Sequence, residues 1–305
     1  IGVILFFYII YDIGIGKIAQ SFITIPIYYY ILAIIPFIPR VVLTAYKWQY
    51  ICKKQKMDLS LTYLLKIVFI SSYYASITPG GFGWYLKIFY LRKKSNTSLE
   101  KCITNSLIDF LTGCIVGLFL SIIGVYLIIS LDPVYTSLFY VLLALFIFYT
   151  VALLVFIKKS GGRKITNIFV RPLIPSRYKE KFDKSIDSLY EDIPSIKDMI
   201  IPIIVEIGVI VFAAVQVYII ALAFSVEISF LMFFLIHTLS VVIMTLIPIS
   251  IGGLGVREGA FVLLMIPFGV EPYIAFVISF SGFIVKMLIP NIIGIYFSFK
   301  EPLHK

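Results

Sequence analysis

Residues 104–130, 133–157, 200–223 and 274–298 of this chain are each predominantly apolar for more than twenty positions. A helix needs about 20 such residues to cross a bilayer. In lipid every backbone N–H and C=O must find its partner inside the protein, which leaves helices or closed barrels. A barrel would show ~10-residue segments of alternating polarity, and these are absent. Of the 305 residues 61% are hydrophobic and 14% charged, where a soluble domain carries about 25% charged residues. The expected fold class is an all-α integral membrane protein, one polytopic domain over residues 1–305.

Two glycine-rich breaks interrupt the apolar pattern. One is Thr78-Pro-Gly-Gly-Phe-Gly83, and the other is Pro248-Ile-Ser-Ile-Gly-Gly-Leu-Gly-Val-Arg-Glu-Gly-Ala260. Each interior glycine costs a helix up to about 1 kcal/mol relative to alanine. Non-helical backbone at membrane depth persists only when buried in protein or lining a wet cavity. Paired broken segments point to a transport site.

Charge sets the topology. The net charge is +10, yet the basic residues lie in clusters rather than on a nucleic-acid-binding face. Of 26 Lys and Arg, residues 47–56 hold four, 92–101 four, 158–197 ten and 300–305 two. The segments 12–23, 131–133, 224–228 and 270–273 hold only Lys17. Basic loops stay cytoplasmic, so all four clusters, with both termini, are expected on that face of the cell membrane. Residues 56–92 must then start and finish on one side, as a hairpin turning at Pro79, Gly80 and Gly81. Residues 229–269 form a second hairpin from the other side, turning at Gly252, Gly253 and Gly255. With about six full spans this is an inverted, re-entrant arrangement suited to alternating access. Residues 1–11 fit a truncated first helix, 12–23 a polar-leaning loop, and 24–46 a span interrupted by Pro36 and Pro39. Within the cytoplasmic segment 158–199, Phe182, Ile186, Leu189, Tyr190 and Ile193 fall at helical spacing, which predicts an amphipathic helix between the two halves.

Charges inside apolar segments are functional candidates by default. Lys286 lies near the middle of its span. Arg257 follows the second break, where free N–H groups and the positive helix end favour an anion. Lys87 holds the corresponding place after the first break. Arg40 and Lys66 lie about two turns from basic loops and read as snorkelling side chains. Asp109, Glu206 and Glu258 read as ion-pair partners, Gln216 accompanies them, and His237 reads as a satisfied buried histidine. Cys52, Cys102 and Cys114 lack metal or redox spacing. Gly253-x-Gly255-x-x-x-Gly259 follows no strand and lacks the dinucleotide-loop spacing. No catalytic residue, cofactor or metal is expected.

Ser250-Ile-Gly-Gly-Leu-Gly-Val-Arg-Glu-Gly-Ala260 closely resembles the signature of the transmembrane, flippase-type domain of lysylphosphatidylglycerol synthases and its stand-alone relatives. Thr78-Pro-Gly-Gly-x-Gly83 with Lys87 looks like that family's Pro-Gly motif and following basic residue. Lys47-Trp48 is similar to its Arg-Trp pair. Asp109-Phe110 resembles its Asp-Arg pair without the Arg, and Lys286 stands where a family Arg is expected. The resemblance implies a lipid transporter or flippase moving an anionic or aminoacylated phospholipid, or a lipid-linked intermediate, between leaflets. Arg257, Glu258, Lys286, Lys87, Asp109 and the glycines of both breaks would form the site, with a lipid phosphate headgroup as ligand. A separate lipid-modifying transferase is a possible partner. Two other readings stay open: a membrane transferase acting on a lipid-linked sugar or polyprenyl phosphate, and a non-catalytic membrane partner of such an enzyme.

Overall fold

The computed structural model describes residues 1–158, 162–164 and 166–302. The basic residues Lys159 and Lys305, counted in the clusters above, lie outside the described residues. Thirteen α-helices follow one another among those described. They are α1 (Gly2–Ile13), α2 (Ile15–Thr24), α3 (Ile27–Ile34), α4 (Phe37–Lys54), α5 (Leu61–Ile77), α6 (Lys87–Ser95) and α7 (Leu99–Ile129). Then come α8 (Thr136–Ile157), α9 (Lys179–Leu189), α10 (Ile200–Leu222), α11 (Phe230–Leu246), α12 (Val256–Met265) and α13 (Pro272–Lys300). Five helical stretches are long and apolar enough to cross a membrane, or six when α1 and α2 count as one broken span. The chain is a multi-pass membrane protein.

Local chemistry marks the helix ends. Ser60, Ser98 and Ser229 each accept a backbone N–H at 3.3 Å from the first turn of α5, α7 and α11, filling a donor that the helix start leaves unpaired. Pro39 falls in the first turn of α4, where a missing N–H is harmless. So α3 and α4 run on as one span, Ile27–Lys54.

One expectation is corrected. Residues 15–24 are not a loop but helix α2, set at 87° to α1. Gly14 takes φ 99° at the corner, a conformation nearly closed to residues with a Cβ. Ile18 and Ser21 then turn inward, while Lys17 and Gln20 lie exposed on the outer face of an amphipathic helix. The helix expected near residues 182–193 is present in part as α9, which ends at Leu189 and leaves Tyr190 and Ile193 beyond it; Ile186 is buried, and the Tyr190 ring lies 5.8 Å from Phe156.

Side-chain ties draw the basic segments to one end of the bundle. Asp192 accepts from Lys56 at 2.6 Å and Lys101 at 2.8 Å, Lys54 pairs with Asp198 at 2.6 Å, and Lys93 donates to the Pro302 carbonyl at 3.0 Å. The hydrogen bonds from Lys101 and Lys56 hold the Asp192 carboxyl below the usual carboxylate range. Since the folded carboxyl is the stronger acid, this tie stabilises above the unfolded value and is lost as pH falls.

With two smaller clusters beside them, two apolar cores make up most of the interior. One joins α4, α5 and α6 through Phe37, Trp48, Leu64, Ile67 and Tyr90. The other joins α11, α12 and α13 through Phe233, Ile236, Phe261, Leu264 and Phe276. Helix α13 packs along α5 so closely that a Cβ on Gly294 would lie 2.3 Å from the Phe69 carbonyl oxygen. Small residues permit such approaches between membrane helices. Gly294→Ala is expected to destabilise the protein by about 1–3 kcal/mol, read as a lowered unfolding midpoint in detergent. An unchanged midpoint would show that the two helices separate freely.

Candidate functional site

The two breaks meet. Pro79 and Ile251 form an isolated antiparallel bridge, and the Gly80 N–H donates to the Ser250 carbonyl at 3.2 Å. After α5 the chain reverses through Gly80 and Gly81. Thr78 Oγ1 accepts the Gly83 N–H at 2.8 Å and donates to the Tyr74 carbonyl at 2.8 Å, so the return arm lies directly on α5. At the second break Gly255 takes φ 84°. Its N–H donates to Glu258 Oε2 at 2.8 Å, which caps the start of α12. Helix α1 closes over this break: a Cβ on Gly255 would lie 2.3 Å from the Gly2 carbonyl oxygen.

Two charged clusters flank the meeting point. The first joins α4, α6, α7 and α10. Lys47 Nζ lies 2.5 Å from both Asp109 Oδ1 and Glu206 Oε2. Lys87, fully buried, pairs with Asp109 Oδ2 and stands 4.1 Å from the centre of the Trp48 ring. Trp48 Nε1 donates to the same carboxylate oxygen at 3.0 Å. Two cations face two carboxylates, so the cluster balances itself.

The second cluster does not balance. Arg257 pairs with Glu258, which is fully buried, and stacks 4.1 Å over the Phe283 ring. Lys286 Nζ stands 3.1 Å from His237 Nε2. Pro290, four residues after Lys286, has no N–H for the Lys286 carbonyl, and Arg40 donates to that carbonyl from Nη2 at 3.2 Å instead. The Arg40 guanidinium also stands 5.7 Å over the Phe37 ring. Neither Arg40 nor Lys286 forms a salt bridge to a carboxylate among the described residues, and Arg40 Nε, Arg257 Nε and His237 Nδ1 have no hydrogen-bond partner there. Both cations border a cavity of about 160 Å³, lined also by Thr44, Ser72, Trp84 and Met287. At ~30 Å³ per water it has room for one phosphate group. A larger depression near 510 Å³, between α2 and the start of α13, holds Lys17 and Glu271 together. There Ser21 and Thr24 already donate to their own helix carbonyls, so that depression has no surplus charge and few free donors.

The structure therefore sorts the expected site residues into separate groups. Arg257, Glu258, Gly252, Gly253, Gly255 and Lys286 lie around the second break, and Pro79, Gly80 and Gly81 meet it. Lys87 and Asp109 lie instead in the balanced cluster, behind the edge-to-face pair of Trp48 and Trp84, whose centroids are 5.1 Å apart. Arg40, read as snorkelling, faces the cavity. Lys47, counted among loop lysines, is only 4% exposed inside the balanced cluster. Lys66, the other snorkelling candidate, pairs with Glu301 at 2.6 Å near the basic end. Pro290 was the available signal for Arg40, because a proline inside a span leaves the carbonyl four residues earlier in need of a donor. No group of three or more His, Cys, Asp or Glu comes together among the described residues.

Fold and site together define a polytopic helical membrane domain with two broken hairpins in contact and an unbalanced cationic cavity beside them. The model of the lysylphosphatidylglycerol synthase TM region matches residues 1–294, and the chain belongs to that family. No curated protein matches it.

Proposed function

We propose that this protein carries an anionic or aminoacylated phospholipid, or a lipid-linked intermediate, between leaflets by alternating access. The observation that carries the reading is the cavity between Arg40 and Lys286, where two cations face a common space with no carboxylate between them. Cations without a counter-ion are unfavourable at membrane depth, and a phosphodiester entering the cavity would relieve that. Arg257 and Glu258 at the start of α12 neutralise one another and add no net charge to that space. The bridge between Pro79 and Ile251 is where two hairpins entering from opposite faces would slide. Membership of a lipid-related family supports the substrate class. A separate lipid-modifying transferase would supply the lipid. A transferase reading of this chain has less support, because Asp109 and Glu206, its acid–base candidates, are held by Lys47 and Lys87.

The test is leaflet exchange of a fluorescent phosphatidylglycerol in reconstituted vesicles. Hydrogen bonds to charged groups are worth roughly 1.5–3 kcal/mol. Arg40→Gln and Lys286→Gln are each expected to slow exchange about ten- to hundredfold, with monodisperse protein in both cases. Exchange at the unaltered rate in the double variant would remove the cavity from the mechanism.

A further inference from the structure

The contact between Lys286 Nζ and His237 Nε2 at 3.1 Å constrains protonation. A hydrogen bond between an amine and an imidazole nitrogen needs one donor and one acceptor. Ammonium and imidazolium together offer only donors, so the pair as seen is at least one proton short of full. Arg40 reaches the Lys286 carbonyl, and Arg257, paired with Glu258, stacks on Phe283 three residues before Lys286 on α13. Elsewhere on α10, Glu206 is held by Lys47, and Gln216 donates to the Ala33 carbonyl at 3.2 Å. The facing surfaces of α7 and α11 meet at Gly117 against Val242 and Gly124 against Leu235 and carry no charge there. Among the described residues Glu258 is the one carboxylate paired within this group, and it is already engaged by Arg257. A further proton on the pair would set four cations against that carboxylate in a low-dielectric interior, which is strongly disfavoured. An anion in the cavity removes that obstacle.

We propose that the His237–Lys286 pair is the proton-binding site of this protein: it takes up one proton when an anionic phosphodiester occupies the cavity beside Arg40, and releases it when the anion leaves. This rests on the anion-site reading above. The proton comes from water on the side to which the cavity is open and adds to whichever nitrogen lacks it, giving imidazolium and ammonium with no other covalent change. Lys286, which lines the cavity, then donates toward the anion, with the His237 charge beside it. Coupling is reciprocal, so a low pH on one side favours loading there, and a proton gradient would drive directional transport of the lipid.

The measurement is isothermal titration of the full chain in detergent with short-chain phosphatidylglycerol, in buffers of differing ionisation enthalpy. A phosphodiester does not titrate near neutrality, so protons taken up belong to the protein. Wild type is expected to take up about one proton per lipid at a pH between the titration midpoints of the empty and the loaded pair, with affinity falling up to tenfold per pH unit there, as linkage requires. His237→Gln, which keeps an acceptor for Lys286, is expected to bind with little proton uptake and a flat affinity. Glycerophosphoglycerol, the same headgroup without acyl chains, is expected to bind at least tenfold more weakly with the same proton uptake, which marks the ligand as a lipid. Equal affinity for the two probes would support the proton site and turn the ligand into a soluble anion. Binding without proton uptake in wild type, or unchanged uptake in His237→Gln, would overturn the proton proposal and leave the anion site standing. If neither probe binds at any pH, both fall.

Discussion

Asp109→Asn is expected to destabilise this protein by about 3–5 kcal/mol, the range for removing one partner of a buried ion pair. Lys47 and Lys87 share that one carboxylate. After the substitution Lys47 keeps Glu206 at 2.5 Å. Lys87 keeps only the face of Trp48, and a cation–π contact is worth ~2 kcal/mol when desolvated. The uncompensated ammonium on α6 is therefore the main source of the loss. Unfolding in detergent followed by tryptophan fluorescence suits the purpose, because Trp48 and Trp84 are the only tryptophans and meet edge to face. Adding Lys87→Met to Asp109→Asn is expected to restore much of the lost stability, since it removes the stranded charge, and the double-mutant cycle isolates that pair. A single-variant loss below about 1 kcal/mol would mean that water reaches the cluster and screens it.

The second large effect is expected at the first hairpin. A Cβ on Gly83 would lie 2.2 Å from the carbonyl carbon and oxygen of Tyr74. Backbone meets backbone there, so no side-chain rotation relieves the clash. Gly83→Ala is expected to lift the return arm off α5, moving Trp84 from the cavity wall and pulling Lys87 away from Asp109. The loss is expected to exceed the ~1–3 kcal/mol of ordinary overpacking and to abolish lipid exchange. Gly81→Ala is the comparison. Its Cβ would meet nothing within 4 Å, but φ there is 69°, so only left-handed backbone strain opposes it, about 1 kcal/mol. Equal unfolding midpoints for the two variants would show that the arm does not press on α5 as described.

Much of the architecture was legible beforehand. Long apolar runs gave the spans, because the bilayer core admits only satisfied backbone. Glycines marked both breaks. Lysine clustering put residues 56 and 92 at the same end, and Lys56 and Lys101 do share Asp192. The corner at Gly14 was missed because α2 is short and amphipathic, and its polar residues resemble a loop when counted by composition. Lys47 was misplaced for a related reason: it stands within six residues of Lys53, and proximity along the chain hid its burial. Arg40 lines the cavity instead of snorkelling, and Lys87 is buried against Asp109 away from it. Their sequence neighbourhoods are alike, each within two turns of a basic loop, and say nothing about which helix lies opposite.

The sequence by itself determined what had to be true of each segment taken alone. It set which stretches can lie in lipid, where a helix must break, and which loops carry positive charge, since these follow from local hydropathy and backbone freedom. Only the tertiary structure decided the pairings. Asp109 is 22 residues from Lys87, and His237 is 49 from Lys286. Whether such residues meet depends on the rotation and depth of each helix against its neighbours. At about 100° per residue, a shift of one position turns a side chain from partner to lipid, and the packing of the whole bundle sets that phase.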